Sequence, residues 1–230
     1  MLAVLGLVSV SACAWTTQVG ELQHESRTIE LGGAESVAVE VKMGAGELTI
    51  AGGAEPLVDA DFVYNVADWR PAIDYVVSGE RGELWIEQPE AKNLNLDSYR
   101  NEWDLAFNEE VPMELHVVLG AGKSEIDVSR LSLADLDLDM GVGDVELDLT
   151  GDREHDLDVS IRGGVGKATV LLPADVGVQA QVSGGLGTIE TNGMVGQDGV
   201  YVNAAYGGSG ATITLGIEAG VGEIELRVAD

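Results

Sequence analysis

The stretch Asp139-Met140-Gly141-Val142-Gly143-Asp144-Val145-Glu146-Leu147-Asp148-Leu149 decides the fold class of this chain. After the paired glycines, Val145, Leu147 and Leu149 fall on one side of an alternation, and Asp144, Glu146 and Asp148 on the other. A period of two is that of a half-buried β-strand, since a helix would need apolar residues three and four apart. Glu223-Ile224-Glu225-Leu226-Arg227-Val228 repeats the pattern behind a second glycine pair.

Gly-X-Gly copies begin at Gly120, Gly141, Gly164, Gly185 and Gly208, with spacings of 21, 23, 21 and 23 residues. A further copy follows at Gly220 after 12 residues, which predicts a shortened last turn that caps the stack, and an earlier copy stands at Gly44-Ala45-Gly46. A second alternating run precedes several copies: Leu136, Leu138 and Met140, then Leu157, Val159 and Ile161, then Val178, Ala180 and Val182, each offset by 21. A near-constant period of this size, with short strands and glycine corners, predicts an all-β chain: a parallel β-solenoid whose coils stack on their predecessors. The competing reading is an antiparallel sandwich or barrel, which gives no reason for the period.

Stacking by one period sets Lys123, Asp144 and Lys167 in one column of alternating sign. The next columns place Glu125 on Glu146 and Asp127 on Asp148, a repulsive arrangement at the spacing of about 4.8 Å between strands that cations would relieve. A calcium-binding nonapeptide repeat would need its aspartates in consecutive nine-residue turns, which the period of 21 to 23 does not supply. Gly-X-Gly here runs into a strand, so it is no dinucleotide loop, which must open a helix.

Composition narrows the partners. The chain has 230 residues, 40 Asp plus Glu against 12 Lys plus Arg, and a formal charge of −28, so nucleic acid is repelled at long range. What such a surface attracts is divalent cations, cationic polymers or basic proteins, the alternative being a charge that serves only solubility. Leu2 to Val10 is apolar and too short to span a bilayer, and Val10-Ser11-Ala12-Cys13 follows it directly, resembling a bacterial lipobox. Cys13 is the only cysteine, which excludes an intrachain disulfide and marks it as the expected lipidation site. The chain is therefore expected to be exported and lipid-anchored to the membrane of a bacterial cell envelope, with residues 1–12 as signal peptide and 13–35 as anchor and tether.

Most aromatic residues gather in the first half, at Phe62, Tyr64, Trp69, Tyr75, Trp85, Tyr99, Trp103 and Phe107, where they either fill a core or bind sugars or peptides. The same region holds Met43-Gly44-Ala45-Gly46-Glu47-Leu48-Thr49-Ile50, Asp61-Phe62-Val63-Tyr64-Asn65, Asn101-Glu102-Trp103-Asp104-Leu105 and Val111-Pro112-Met113-Glu114-Leu115. With Gly163-Gly164-Val165-Gly166, Leu172-Pro173-Ala174-Asp175, Gly184-Gly185-Leu186-Gly187 and Gly220-Val221-Gly222, these resemble the toast-rack family over nearly the whole exported chain. The resemblance implies a right-handed single-stranded β-helix and a role in envelope sensing or scaffolding, as in LiaF-like proteins and candidate adhesins. It divides the chain into a toast-rack-like β region at 36–115 and a C-terminal β-solenoid region at 116–230.

An enzymatic reading has candidates in His155, Asp156 and Asp158, because some β-solenoids act on polysaccharides with clustered carboxylates. Charged residues on the outer face of a strand are the ordinary condition of a half-exposed sheet. His24, His116 and His155 are scattered and no metal motif is present, so no catalytic residue, metal or cofactor is assigned. The expected function is a non-enzymatic envelope lipoprotein that binds an envelope protein or a glycan, as adhesin or stress scaffold; the alternative is a surface-anchored protein that binds or degrades carbohydrate.

Overall fold

The computed structural model describes residues 19–90 and 98–229. Its strands are β1 (Gln23–Ile29), β2 (Ser36–Ala54), β3 (Val58–Tyr64), β4 (Ala72–Ser78), β5 (Arg81–Glu87), β6 (Asn101–Asn108) and β7 (Met113–Asp127). They continue with β8 (Leu133–Asp148), β9 (Leu157–Leu172), β10 (Gly177–Asn192), β11 (Met194–Gln197), β12 (Val200–Asn203) and β13 (Thr212–Val228). The expectation of an all-β solenoid holds, as an open sheet that does not close on itself.

Each coil is built differently from the short strands expected. The long strands β2, β7, β8, β9, β13 and β10 each bend at Gly-X-Gly while staying paired to their neighbours, so one strand supplies both arms of a coil. The interior between the arms is aliphatic: Val39, Leu115, Leu136, Val159, Leu215 and Ala180 form one column and are all buried. Burying each of the larger side chains stabilises the fold by roughly 1.5–3 kcal/mol.

The glycines are required by close approach as well as by conformation. A Cβ at Gly143 would lie 1.8 Å from the carbonyl oxygen of Gly122, and one at Gly166 1.7 Å from that of Gly143. The backbone of each coil thus rests on the carbonyl of the one below, and φ at Gly143 is +146°, a region that residues with a Cβ rarely adopt. Gly141 and Gly164 make the same approach to Gly120 and Gly141.

Three expectations about the stack are corrected. First, β13 inserts between β9 and β10, giving the order β7-β8-β9-β13-β10, so the coils do not all stack on their predecessors and the copy at Gly220 caps nothing. Second, Gly208 to Gly210 lie in the turn before β13, outside the glycine column. Third, Leu136 stacks on Val159, not on Leu157. A slip of two residues keeps every side chain on its own face, so alternation alone tolerates either register; the glycine column selects the observed one.

The two ends are finished by other means. At one end β2 changes partner at its bend, pairing with β5 through Ser36–Lys42 and with β6 through Glu47–Ala54. β4 then covers β5, while β3 and β1 extend the other arm beyond β6. Residues 23–29 of the segment read as a tether therefore form a strand, and the expected division at 115/116 falls within β7. No further coil follows here among the described residues, and the interior is filled by Phe62, Trp103 and Phe107, all buried; Phe62 meets Trp103 edge-on at 5.4 Å, while the buried Trp69 packs edge-on against Tyr99 at 5.1 Å. At the other end the β11–β12 hairpin pairs with β10 through Gln179–Gln181. Asn203 holds it there, its amide donating to the carbonyls of Pro173 and Val176 while its oxygen accepts from the Val178 N–H.

Candidate interaction surface

The arms turn alternate side chains outward, and stacking converts each outward position into a row. Beside the glycine bend the row reads Glu47, Lys123, Asp144, Lys167 and Glu223 before ending at Thr188. The alternation expected of Lys123, Asp144 and Lys167 is thus present and extends one residue to either side. Glu125 neighbours Glu146 and Asp127 neighbours Asp148, as expected. These carboxylates are partly used: Lys123 pairs with Glu125, and Asp127 and Asp148 accept from Ser129 and Thr150 in the following turns. Among the described residues no group of three or more His, Cys, Asp or Glu is placed to hold a metal ion.

The outer face of the first arm is the more acidic. One row runs Glu83, Ala38, Glu114, Asp135, Asp158 and Thr214, and the adjacent row Trp85, Glu40, His116, Asp137 and Ser160. Between them is a hollow of 310 Å³ lined by the small Ala38 and the half-buried Trp85, whose register partner is Glu40. Burial, together with Asp137, Asp158 and Glu114, raises the carboxyl of Asp135 above its ordinary value. Asp139 is held low by its hydrogen bond from Arg162 (2.6 Å) and by His116 at 3.1 Å. Arg81 pairs with Glu114 at 2.7 Å, so the acid excess is only partly neutralised. The face suits cationic groups, for which carboxylates and an indole are both favourable neighbours.

At the crest of the bend, the X residues of Gly-X-Gly form an apolar ridge. Val142, Val165, Val221 and Leu186 stand in one column, half or more exposed, and Leu186 reaches 80%. Sequence reading passed over this ridge, although the repeated valine between glycines was its visible signal.

The residues singled out from sequence do not form one site. Asp156 accepts the Thr212 N–H at 2.8 Å and so ends the turn before β13. Asp158 belongs to the outer row between Asp135 and Thr214, and His155 lies in the loop beside Arg153 that lines a separate groove. Of the aromatic residues, Phe62, Tyr64, Trp69, Trp103 and Phe107 are core, whereas Trp85 is part of the acidic face. Cys13 lies outside the described residues. Among those residues no helix is long and apolar enough to cross a membrane.

Residues 18–171 match the profile of the N-terminal domain of toast_rack, and residues 120–226 match that of the C-terminal region of LiaF, described as cell wall-active antibiotics response. Among solved structures, a candidate cell adhesion protein from Clostridium sporogenes is 36% identical, with a TM-score of 0.84 over 91% of this chain and 100% of that one. A candidate adhesin from Bacteroides fragilis is 11% identical, with a TM-score of 0.34 over 90% of this chain and 97% of that one. No curated protein matches the sequence.

Proposed function

The chain belongs to the toast-rack family, and we propose that it is a non-enzymatic envelope lipoprotein, held to the membrane through Cys13, that serves as an adhesion or envelope-stress scaffold. The observation that carries this reading is the end-to-end similarity to a candidate cell adhesion protein. The physical argument agrees with it. A rigid stack presents ordered rows of side chains over a long face, which suits recognition of an extended partner. The carboxylates offered for catalysis are spent on a turn, at Asp156, or spread along a row, at Asp158. The acidic first-arm face and the −28 charge favour a basic partner on an envelope protein.

Two measurements test the proposal. Cells fed an alkyne fatty acid should label the wild-type chain and leave Cys13→Ala unlabelled, and cross-linking in intact envelopes should join the wild type to an envelope protein. Release of soluble sugar from cell-wall glycan by the purified chain would overturn the non-enzymatic reading. Equal labelling of Cys13→Ala would overturn the anchor.

A further inference from the structure

The second arm of β10 is an open strand edge. β12 covers β10 only at Gln179–Gln181, and Val182 donates to the Gly199 carbonyl at 2.7 Å. From Gly184 to Asn192, β10 pairs with β13 on one side, and among the described residues no strand lies on the other. Parallel pairing to one side leaves part of the strand's N–H and C=O groups facing outward, ready for another strand.

The side chains show the same incompleteness. Ile189 belongs to the interior column of Leu48, Val145 and Ile224, which are 1%, 3% and 6% exposed, yet it is itself 41% exposed. Leu186 continues the apolar ridge and is the most exposed member of it. Natural edges are guarded by charged side chains, above all lysine, by proline or by a bulge, and the segment Gly184-Gly185-Leu186-Gly187-Thr188-Ile189-Glu190-Thr191-Asn192 contains neither lysine nor proline and has Glu190 as its one charge.

Charge selects the occupant. Glu190 stands beside Glu225, whose carboxylate is already held by Lys167 at 3.2 Å and by Arg227, whereas Glu190 makes no ion pair among the described residues. The alternating row that runs from Glu47 to Glu223 stops at Thr188, one step short of another positive residue. A second copy of this chain is disfavoured, because two bodies of −28 repel and a two-fold pairing would bring both Glu190 side chains to one edge.

We propose that the β10 edge between Gly184 and Asn192 receives an extended, basic segment of a partner protein as an added strand. One face of that segment packs apolar side chains on Ile189, and the other sets a basic side chain beside Glu190. The inference rests on the scaffold reading above and names where and what it binds.

The probe is a synthetic peptide of five Arg-Val repeats, offered to the full chain beside a Glu-Val peptide of equal length. Hydrogen exchange should slow at Gly184–Asn192 with the Arg-Val peptide only. Glu190→Lys, on an exposed side chain, should weaken binding by about fivefold while leaving the melting temperature unchanged. Ile189→Asp should weaken it further. Slowing confined to the acidic first-arm face, equal binding of both peptides, or an unchanged affinity of Glu190→Lys would overturn the edge assignment while leaving the scaffold reading to its own test. Concentration-dependent dimerisation that protects the same amides would also overturn it, in favour of a second copy.

Discussion

The two ends of the stack solve one problem with different thoroughness. At the β2 end, Gln88 Oε1 accepts from the backbone N–H groups of Gly44 (2.9 Å) and Ala45 (3.1 Å). The Asn101 amide donates to the Ala45 carbonyl at 2.8 Å, so side chains plug the last bend. Trp103 in turn donates its ring N–H to Asn101 at 3.0 Å, tying the plug to the aromatic core. At the β10 end, the hairpin closes the first arm and leaves the second with an exposed isoleucine and an edge that no other described strand pairs with. A repeat supplies its own neighbours in the interior, but an end must be made from residues outside the repeat, and only one end received a full set.

The largest expected effect separates the interior from the open end. Gly143→Ala would force a Cβ against the Gly122 carbonyl with strands on both sides, and should destabilise by more than about 4 kcal/mol or prevent folding. Gly187→Ala meets Gly222 at the same 1.8 Å, but β10 is free to move outward there, so the loss should be clearly smaller. Gly163→Ala, with no atom within 4 Å of the added Cβ, should stay within about 0.5 kcal/mol of wild type. Urea unfolding of the three proteins checks the order, and equal losses for Gly143 and Gly187 would erase the distinction between interior and edge.

Next in size is the contrast in apolar filling. Trp103→Ala should cost about 3–5 kcal/mol, as for a fully buried aromatic residue, and Ile189→Ala under about 1 kcal/mol because its side chain is already partly in water. Thermal unfolding monitored by circular dichroism would show it.

The smallest effect concerns β1, the strand that finishes the aromatic end. Glu25 accepts from Arg70 at 2.9 Å and pairs with Arg27, which lowers its carboxyl from 4.5 to about 2. A carboxylate whose pKa is depressed by folding contributes stability that is full above about pH 4.5 and lost as the pH falls toward 2. Glu25→Gln should therefore melt below wild type at pH 7, with the gap narrowing from pH 4.5 downward. A gap independent of pH would show that the pairing with Arg70 does not set the strand's stability.

The repeat was legible because its signals are local: paired glycines, alternation, and the sign changes of Lys123, Asp144 and Lys167. The insertion of β13 was not, because Gly164, Gly185 and Gly220 mark the bends of nearly equivalent strands and any of their stacking orders preserves the alternation. β1 escaped notice since His24, Ser26 and Thr28 alternate with charged residues and no apolar face is left to see. Among the surfaces, the columns of Glu125 on Glu146 and Asp127 on Asp148 were visible as charge, whereas the row around Asp158 was not, because Asp135 meets it at an offset of 23 and not 21. The open edge was not, because an edge is defined by what fails to pair with it.

The open β10 edge exists only because β13 lies between β9 and β10. The direct measurement is oxidative cross-linking of cysteine pairs in a Cys13→Ala background, read as a mobility shift on reduction. Thr188 and Glu223 are neighbours in adjacent strands and both face outward, so T188C with E223C should form a disulfide readily, and T188C with K167C should not. The reverse result would stack β10 directly on β9 and contradict the account.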